Sequence, residues 1–217
     1  MPSSNKKFTL SIYLSHKNIG GEVMMGEKKI YLLLTDTRTL LNRLIKSYTK
    51  KPYNHASIAF DAELNEVYSF GRKTVNNPFV GGFVREEVDS HLFSQADCAI
   101  YSLTITIAEY QKMVQYIEQI ASQKNNYRYN FIGLFGVILN KPIKRKNALF
   151  CSQFVASVLS VSKTVNIEEK DLSLVKPSDL TNLANFQLVF EGKLEDYTNR
   201  DIMQESLSAY TSGTVAS

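Results

Sequence analysis

Apolar residues follow two different spacings along this chain, and the order of those spacings limits the possible folds more than any other feature. Segments with the alternation or apolar density of strands lie at 29–34, 55–60, 66–70, 98–106 and 186–190. Segments with helical spacing lie at 40–51, 107–121 and 150–159. Because strands and helices occur in groups and do not strictly alternate, the sequence predicts an α+β fold and not a repeated βαβ unit.

The length of 217 residues suits one domain, at about 150 residues per domain, with short extensions. A hydrophobic fraction of 44% supplies a core and excludes a mainly disordered chain. Two cysteines cannot form a disulfide scaffold, and the scattered histidines argue against a structural zinc site, so no cofactor is expected. We therefore predict an N-terminal extension over 1–28, one domain over 29–195, and a polar, disordered tail over 196–217.

The net charge of +4 permits an anionic partner without implying one, and no nucleic-acid partner is expected. We interpret the basic run at 141–146 and the segment Arg85-Glu86-Glu87 as solvated surface. The chain shows no secretory signal and no run of about 18 apolar residues, so we expect no transmembrane segment and a cytoplasmic location. The oligomeric state is left open.

Local signals refine the elements between these segments. Thr106 and Glu109 have the spacing of a capping box at the start of the helix that follows the 98–106 strand. Glycine, asparagine and proline over 71–82 predict a loop, and 124–148 reads as a long connection without regular structure.

Two residues have the character of a nucleophile and its base. Cys151 opens a mostly apolar helix, where the positive end of the helix dipole favours the thiolate form. Cys98 begins a strand and is predicted to be an inert core residue. His55 opens the 55–60 strand and is the candidate base, since a cysteine nucleophile needs an imidazole within hydrogen-bond reach.

Four segments together resemble the circularly permuted NlpC-type papain-like cysteine hydrolases, whose relatives include the lecithin:retinol acyltransferase-like and YiiX-like proteins. The segments are Tyr-Asn-His-Ala-Ser-Ile-Ala-Phe-Asp (53–61), Tyr-Ser-Phe-Gly-Arg (68–72), Phe-Cys-Ser-Gln-Phe-Val (150–155) and Lys-Pro-Ser-Asp-Leu (176–180). The histidine precedes the cysteine, which is the order of the permuted group. The resemblance implies a papain-like fold with permuted topology, in which an antiparallel sheet packs on the helix that carries the cysteine.

The resemblance also implies roles for individual residues. Cys151 matches the nucleophile and His55 the base, while Ser69 occupies the place of the third residue, where relatives often carry a histidine, glutamate, glutamine or asparagine. Glu66, Asp61 or a backbone carbonyl could serve in place of Ser69. Tyr129 resembles the tyrosine that borders the oxyanion site, and Tyr53, in the histidine motif, is the second expected substrate-binding residue.

The activity implied is that of a cysteine hydrolase or acyltransferase that acts on an amide, a peptide or a lipid ester through a thiolate acyl-enzyme. The expected substrate is a small peptide or an acyl-lipid. The alternative is a non-catalytic module on the same fold that binds a lipid or a peptide, which the neutral Ser69 motivates. Whether water or an amine accepts the acyl group is left open.

Overall fold

The computed structural model describes residues 26–36, 51–72, 80–167 and 171–200. Residues 1–25 of the predicted N-terminal extension, residues 40–50 of the predicted helix and the chain beyond residue 200 lie outside these ranges, so those predictions remain predictions.

A six-stranded antiparallel sheet organises the described residues and confirms the α+β prediction. The strands are β1 Glu27–Asp36, β2 His55–Ala59, β3 Val67–Arg72, β4 Gly81–Arg85, β5 Asp97–Thr106, β6 Arg128–Tyr129, β7 Ala148–Leu149 and β8 Gln187–Lys193. The order in the sheet is β4-β3-β2-β1-β5-β8, which brings the sequence-distant β8 to one edge. Two short strands, β6 and β7, form a separate parallel pair.

The helices connect and cover this sheet. They are α1 His91–Ser94, α2 Ile107–Ser122, α3 Phe131–Leu139, α4 Cys151–Leu159 and α5 at 194–200, with 3-10 turns at Leu172–Leu174 and Pro177–Asn182. In the described part of the chain, no helix combines the length and the apolar character that crossing a membrane requires.

The period-2 alternation of the strands divides the core between the two sheet faces. On one face, Leu32, Ile58 and Phe70 pack in the cluster that contains the buried stripes of α2 and α4. On the other face, Leu33 and Ile100 belong to a smaller cluster. The larger cluster fixes the position of α4 on the sheet, and therefore the position of Cys151.

Helix α4 is buried along its whole length, because aromatic contacts and a hydrogen bond anchor it. The ring of Phe154 lies 5.1 Å from that of Phe70 on β3 and 5.7 Å from that of Phe83 on β4, measured between centroids. The Ser152 hydroxyl donates to the Val175 carbonyl over 2.7 Å. These contacts hold the first turn of α4 close to the start of β2.

Three sequence-based predictions differ from the structure. The loop predicted over 71–82 is shorter, because its first two residues end β3 and its last two, Gly81 and Gly82, begin β4, which pairs with β3. The predicted connection over 124–148 contains α3, whose glycines allow close packing that apolar periodicity does not reveal. The predicted tail starts at 196, whereas α5 continues to residue 200 and its Tyr197 hydroxyl donates to the Ala62 carbonyl over 2.8 Å.

The capping box predicted at Thr106 and Glu109 is confirmed, and the carboxylate does more than cap a helix. Glu109 accepts the Thr106 amide over 3.0 Å, and its other oxygen accepts the Ser162 hydroxyl over 2.8 Å and the Lys163 amide over 3.0 Å. Burial opposes ionisation, but the hydrogen bonds from Thr106, Ser162 and Thr164 outweigh it and lower the pKa of Glu109 to about 2. The carboxylate thus ties the start of α2 to the loop after α4.

Replacing Glu109 by alanine is expected to lower the free energy of unfolding by about 3 kcal/mol, because it removes the cap and leaves buried donors unpaired. Because the folded-state pKa is depressed, this contribution is present above about pH 4.5 and is lost as the pH falls towards about 2. Denaturant unfolding of Glu109→Ala, with Glu118→Ala on the exposed side of α2 as the matched control, measures it. Equal stability of the two variants would contradict this account.

Candidate active site

Cys151 is the first residue of α4, and its thiol is enclosed by backbone donors. The residue is 4% exposed. The His55 side chain and the amides of Ala56 on β2 and Ser152 on α4 face its sulfur as donors, and each of them lowers the pKa of the thiol. A sulfur that receives hydrogen bonds from N–H groups at a helix N-terminus is stabilised as the thiolate.

His55 is the first residue of β2, and it connects Cys151 to a carboxylate. Its Nε2–H donates to Glu86 Oε1 over 2.9 Å, and the two side chains are only 12% and 11% exposed. With Nε2 engaged by Glu86, Nδ1 is the ring nitrogen left for the thiol. The order thiol, imidazole and carboxylate is that of a nucleophile, its base and the group that orients the base.

Glu86 follows β4 directly, and the sheet holds its backbone in place. Its amide donates to the Val67 carbonyl over 2.9 Å, which extends the pairing of β3 and β4 by one residue. Gly71 lies beneath the two side chains: a Cβ there would stand 3.6 Å from Glu86 Oε1 and 3.9 Å from His55 Cε1. The interpretation of Glu86 as solvated surface charge is therefore wrong.

Ser69 lies beside the imidazole, as the strand alternation predicted, but at a longer distance than Glu86. Its Oγ is 3.3 Å from His55 Nε2 and donates its proton to the Ala56 carbonyl over 3.0 Å. Its hydroxyl oxygen is therefore a second, neutral acceptor for Nε2–H. The other candidates for the third role are engaged elsewhere: Asp61 accepts backbone amides of its own turn, and Glu66 pairs with Arg85.

The electrostatics of Cys151 and His55 favour a thiolate–imidazolium pair. Burial alone would raise the pKa of Cys151, but the hydrogen bond and charge of His55 outweigh it, so the pKa lies below its usual range. Burial alone would lower the pKa of His55, but Cys151 and then Glu86 raise it to about 10. Between these two pKa values both groups are charged.

Cys98 has the opposite environment. It is fully buried in β5, and burial together with the charges of Asp97, Asp196 and Glu191 raises its pKa to about 12. Its thiol therefore stays protonated and unreactive at neutral pH.

A cleft lies beside Cys151 and opens to solvent; it encloses about 390 Å³ when the solvent space at its mouth is included. Three of its lining residues come from α3. The others lie just before β2, at the start of α4, and between or at the start of the 3-10 turns. The lining residues are Asn54, Leu134, Val137, Ile138, Phe150, Cys151, Ser152, Val175, Lys176 and Pro177. The cleft is thus mainly apolar, with the thiol at its wall.

The two tyrosines expected to bind substrate line other parts of the structure. The hydroxyl of Tyr53 donates to Glu191 Oε1 on β8 over 2.7 Å and points towards Cys98, not Cys151. Tyr129 packs its ring 4.6 Å from that of Phe131, and its Cβ lies against Gly81. Neither tyrosine is among the residues that line the cleft.

Two residues of the site were not predicted from the sequence. Glu86 would have been found if Gly81–Arg85 had been predicted as a strand, because period-2 facing places Val84 and Glu86 on the side of Ser69. Asn54 lines the cleft one residue before His55 and donates from Nδ2 to Asp36 Oδ1 over 2.8 Å. No spacing rule indicates that contact, because it joins the end of β1 to the entry of β2.

Comparison of the chain with protein-family models, curated proteins and solved structures finds no match. The case for a function therefore depends on the geometry of Cys151, His55 and Glu86, and on the motifs in the sequence.

Proposed function

We propose that the protein is a cysteine hydrolase or acyltransferase in which Cys151 is the nucleophile, His55 the base and Glu86 the residue that orients the base. The observation that carries the proposal is the hydrogen-bonded series from the Cys151 thiol through His55 to Glu86, at the wall of an open cleft. The permuted order of the histidine and cysteine motifs supports the papain-like assignment.

The first half of the reaction forms an acyl-enzyme. His55 already holds the thiol proton in the resting ion pair, and the Cys151 thiolate attacks the carbonyl carbon of an amide or ester. The charge that develops on the carbonyl oxygen is stabilised by amide donors at the start of α4. The imidazolium then protonates the leaving amine or alkoxide, which departs as the thioester forms.

The second half returns the enzyme to its starting state. His55 takes a proton from water or from an acceptor amine, and the resulting nucleophile attacks the thioester carbon. Collapse of this intermediate releases an acid or an amide and the Cys151 thiolate, paired again with protonated His55. Glu86 keeps Nε2 protonated and stabilises the imidazolium throughout, which a neutral Ser69 would do less well.

The cleft suits an acyl donor whose acyl side is apolar. Leu134, Val137, Ile138 and Val175 offer aliphatic contacts near the sulfur, while Lys176 adds a cation. Both classes implied by the resemblance, a small peptide with an apolar side chain and an acyl-lipid, fit this lining.

The charged third partner weakens the alternative of a non-catalytic binding module. That alternative was motivated by a neutral third residue, whereas the carboxylate of Glu86 accepts a shorter hydrogen bond from His55 than Ser69 does. A purely structural cysteine also has no need of an imidazole bonded to its sulfur, since a buried thiol is stable when neutral.

Trapping of the acyl-enzyme tests the proposal. Incubation with p-nitrophenyl esters of increasing acyl length is expected to acylate the protein at Cys151, as intact mass and peptide mapping would show. Hydroxylamine should remove the adduct, because it cleaves thioesters. Cys151→Ser should remove the adduct and Cys98→Ser should retain it. Absence of any adduct on Cys151, or an equal adduct on Cys98, would contradict the proposal.

A further inference from the structure

Helix α3 presents an unusual surface next to the cleft. All nine of its residues, Phe131–Leu139, are apolar. Ile132, Phe135 and Leu139 are spaced along one side of the helix, and they are 49%, 61% and 65% exposed. Leu134, Val137 and Ile138 of the same helix line the cleft at Cys151. The helix therefore separates the cleft from an exposed apolar stripe.

Glycines hold α3 in this position. A Cβ on Gly133 would clash with Asn130 Nδ2, and one on Gly136 would lie 2.6 Å from the Lys141 carbonyl oxygen. The chain reverses at Asn140, whose φ of 51° is left-handed, and the Asn130 side chain donates to the Ile143 carbonyl over 3.1 Å. Residues 141–146 therefore fold back along the helix.

The returning segment is basic. Lys141, Lys144, Arg145 and Lys146 are all exposed, and Lys144 also pairs with Asp171 over 3.0 Å. Arg128 lies close by, because its amide donates to the Asn147 carbonyl over 2.9 Å. Over the 49 positions from 119 to 167 the sequence has seven Lys and Arg residues and no Asp or Glu. The exposed apolar stripe thus lies within a segment of net positive charge, in which Asp171 offsets Lys144 alone among the four cations of the returning segment.

We propose that α3 and the segment 141–146 form a docking surface for an anionic lipid bilayer. Ile132, Phe135 and Leu139 would enter the boundary between headgroups and acyl chains, while the cations of the returning segment contact anionic headgroups. The combination of an apolar stripe with adjacent cations is the chemistry that such a surface recognises. Docking in this way places the wall of the Cys151 cleft against the membrane, but it does not depend on the proposed catalytic function.

The charge distribution favours a bilayer over a second copy of the chain. A symmetric dimer through α3 would bring two basic segments together with no acidic residue from 119–167 to offset them, and like charges at an interface oppose association. A bilayer that contains anionic lipid supplies the opposite charge across the whole surface.

Co-sedimentation of the full chain with vesicles tests the proposal. The protein is expected to bind vesicles of phosphatidylcholine and phosphatidylserine, and to bind those of phosphatidylcholine alone at least tenfold more weakly. Lys141→Gln/Arg145→Gln/Lys146→Gln should weaken binding on the order of a hundredfold, at about fivefold per cation. Added salt should also weaken binding, because it screens the charges. Phe135→Ser/Leu139→Ser should weaken it at least tenfold, because the removed surface no longer enters the lipid.

Matched control variants test whether the loss of binding is specific to this surface or follows from removing any exposed charge or apolar side chain. Lys28→Gln/Lys29→Gln/Lys112→Gln removes the same charge from exposed positions elsewhere, and Leu188→Ser/Val189→Ser removes exposed apolar surface on β8. Both should bind within twofold of wild type. Failure of wild type to bind anionic vesicles, or equal losses in the controls, would overturn the proposal. So would a wild-type dimer that Phe135→Ser/Leu139→Ser dissociates in light scattering, since that assigns the surface to a second copy.

Discussion

Replacing His55 by alanine is expected to slow alkylation of Cys151 by iodoacetamide on the order of a hundredfold near pH 6. In the wild type the hydrogen bond and charge of the His55 imidazolium lower the pKa of Cys151, so the thiolate is populated below the usual range. Without it, burial leaves the thiol with a pKa above the usual value of about 8.5, so less than about 1% is thiolate. A thiolate of low pKa is intrinsically less nucleophilic, which offsets part of the difference.

Peptide mapping of the alkylated protein identifies the site of reaction. Cys151 should be the fast thiol, and Cys98, with its pKa raised to about 12, should remain unmodified in the folded protein. Cys98→Ser is the control, with a rate like that of wild type. If His55→Ala alkylates as fast as wild type near pH 6, or if Cys98 is the fast thiol, the assignment of the nucleophile and its partner is wrong.

Replacing Glu86 by glutamine is expected to lower turnover of a p-nitrophenyl ester by about tenfold to a hundredfold. The pair of His55 and Glu86 is a charge-assisted hydrogen bond between two largely buried groups, and such bonds contribute about 1.5–3 kcal/mol. Glutamine keeps the size and an acceptor oxygen but removes the charge that stabilises the imidazolium. Because Glu86 helps to raise the pKa of His55, the alkaline limb of the pH–rate profile should also move to lower pH.

The neighbouring residue provides the matched control for this prediction. Glu87→Gln makes the same chemical change at an exposed position and should leave both the turnover and the pH profile unchanged. Ser69→Ala should reduce turnover by less than about tenfold, since it removes a longer hydrogen bond to a neutral acceptor. An effect of Ser69→Ala larger than that of Glu86→Gln would return the third role to the serine.

Local signals in the sequence predicted the parts of the fold that local physics determines. The spacing of apolar residues predicted the strands β1, β2, β3 and β5. Individual side chains predicted the capping box of α2 and the start of α4 at Cys151. The sequence did not reveal β4, because Gly81 and Gly82 carry no side-chain pattern and the strand exists through its pairing with β3. It did not reveal α3 either, whose continuous apolar run has no polar face and whose packing depends on Gly133 and Gly136.

Some residues of the candidate site could likewise be predicted from local signals, and others could not. Cys151 and His55 could be selected by residue type and by position at the start of a helix and a strand, and the structure brings them into contact. Glu86 could not be selected without β4, since its direction depends on the register of that strand. Tyr53 could not be placed correctly, because the hydroxyl's contact with Glu191 depends on β8, which is 138 residues away in the sequence.

Titration of the thiolate by its ultraviolet absorbance, as the difference between wild type and Cys151→Ser, tests the central claim most directly. The account predicts that the thiolate signal of Cys151 appears below the usual pKa of about 8.5 in wild type and moves to higher pH in His55→Ala. A Cys151 signal that appears in wild type only above about pH 8.5 would contradict the thiolate–imidazolium pair and, with it, the proposed nucleophile.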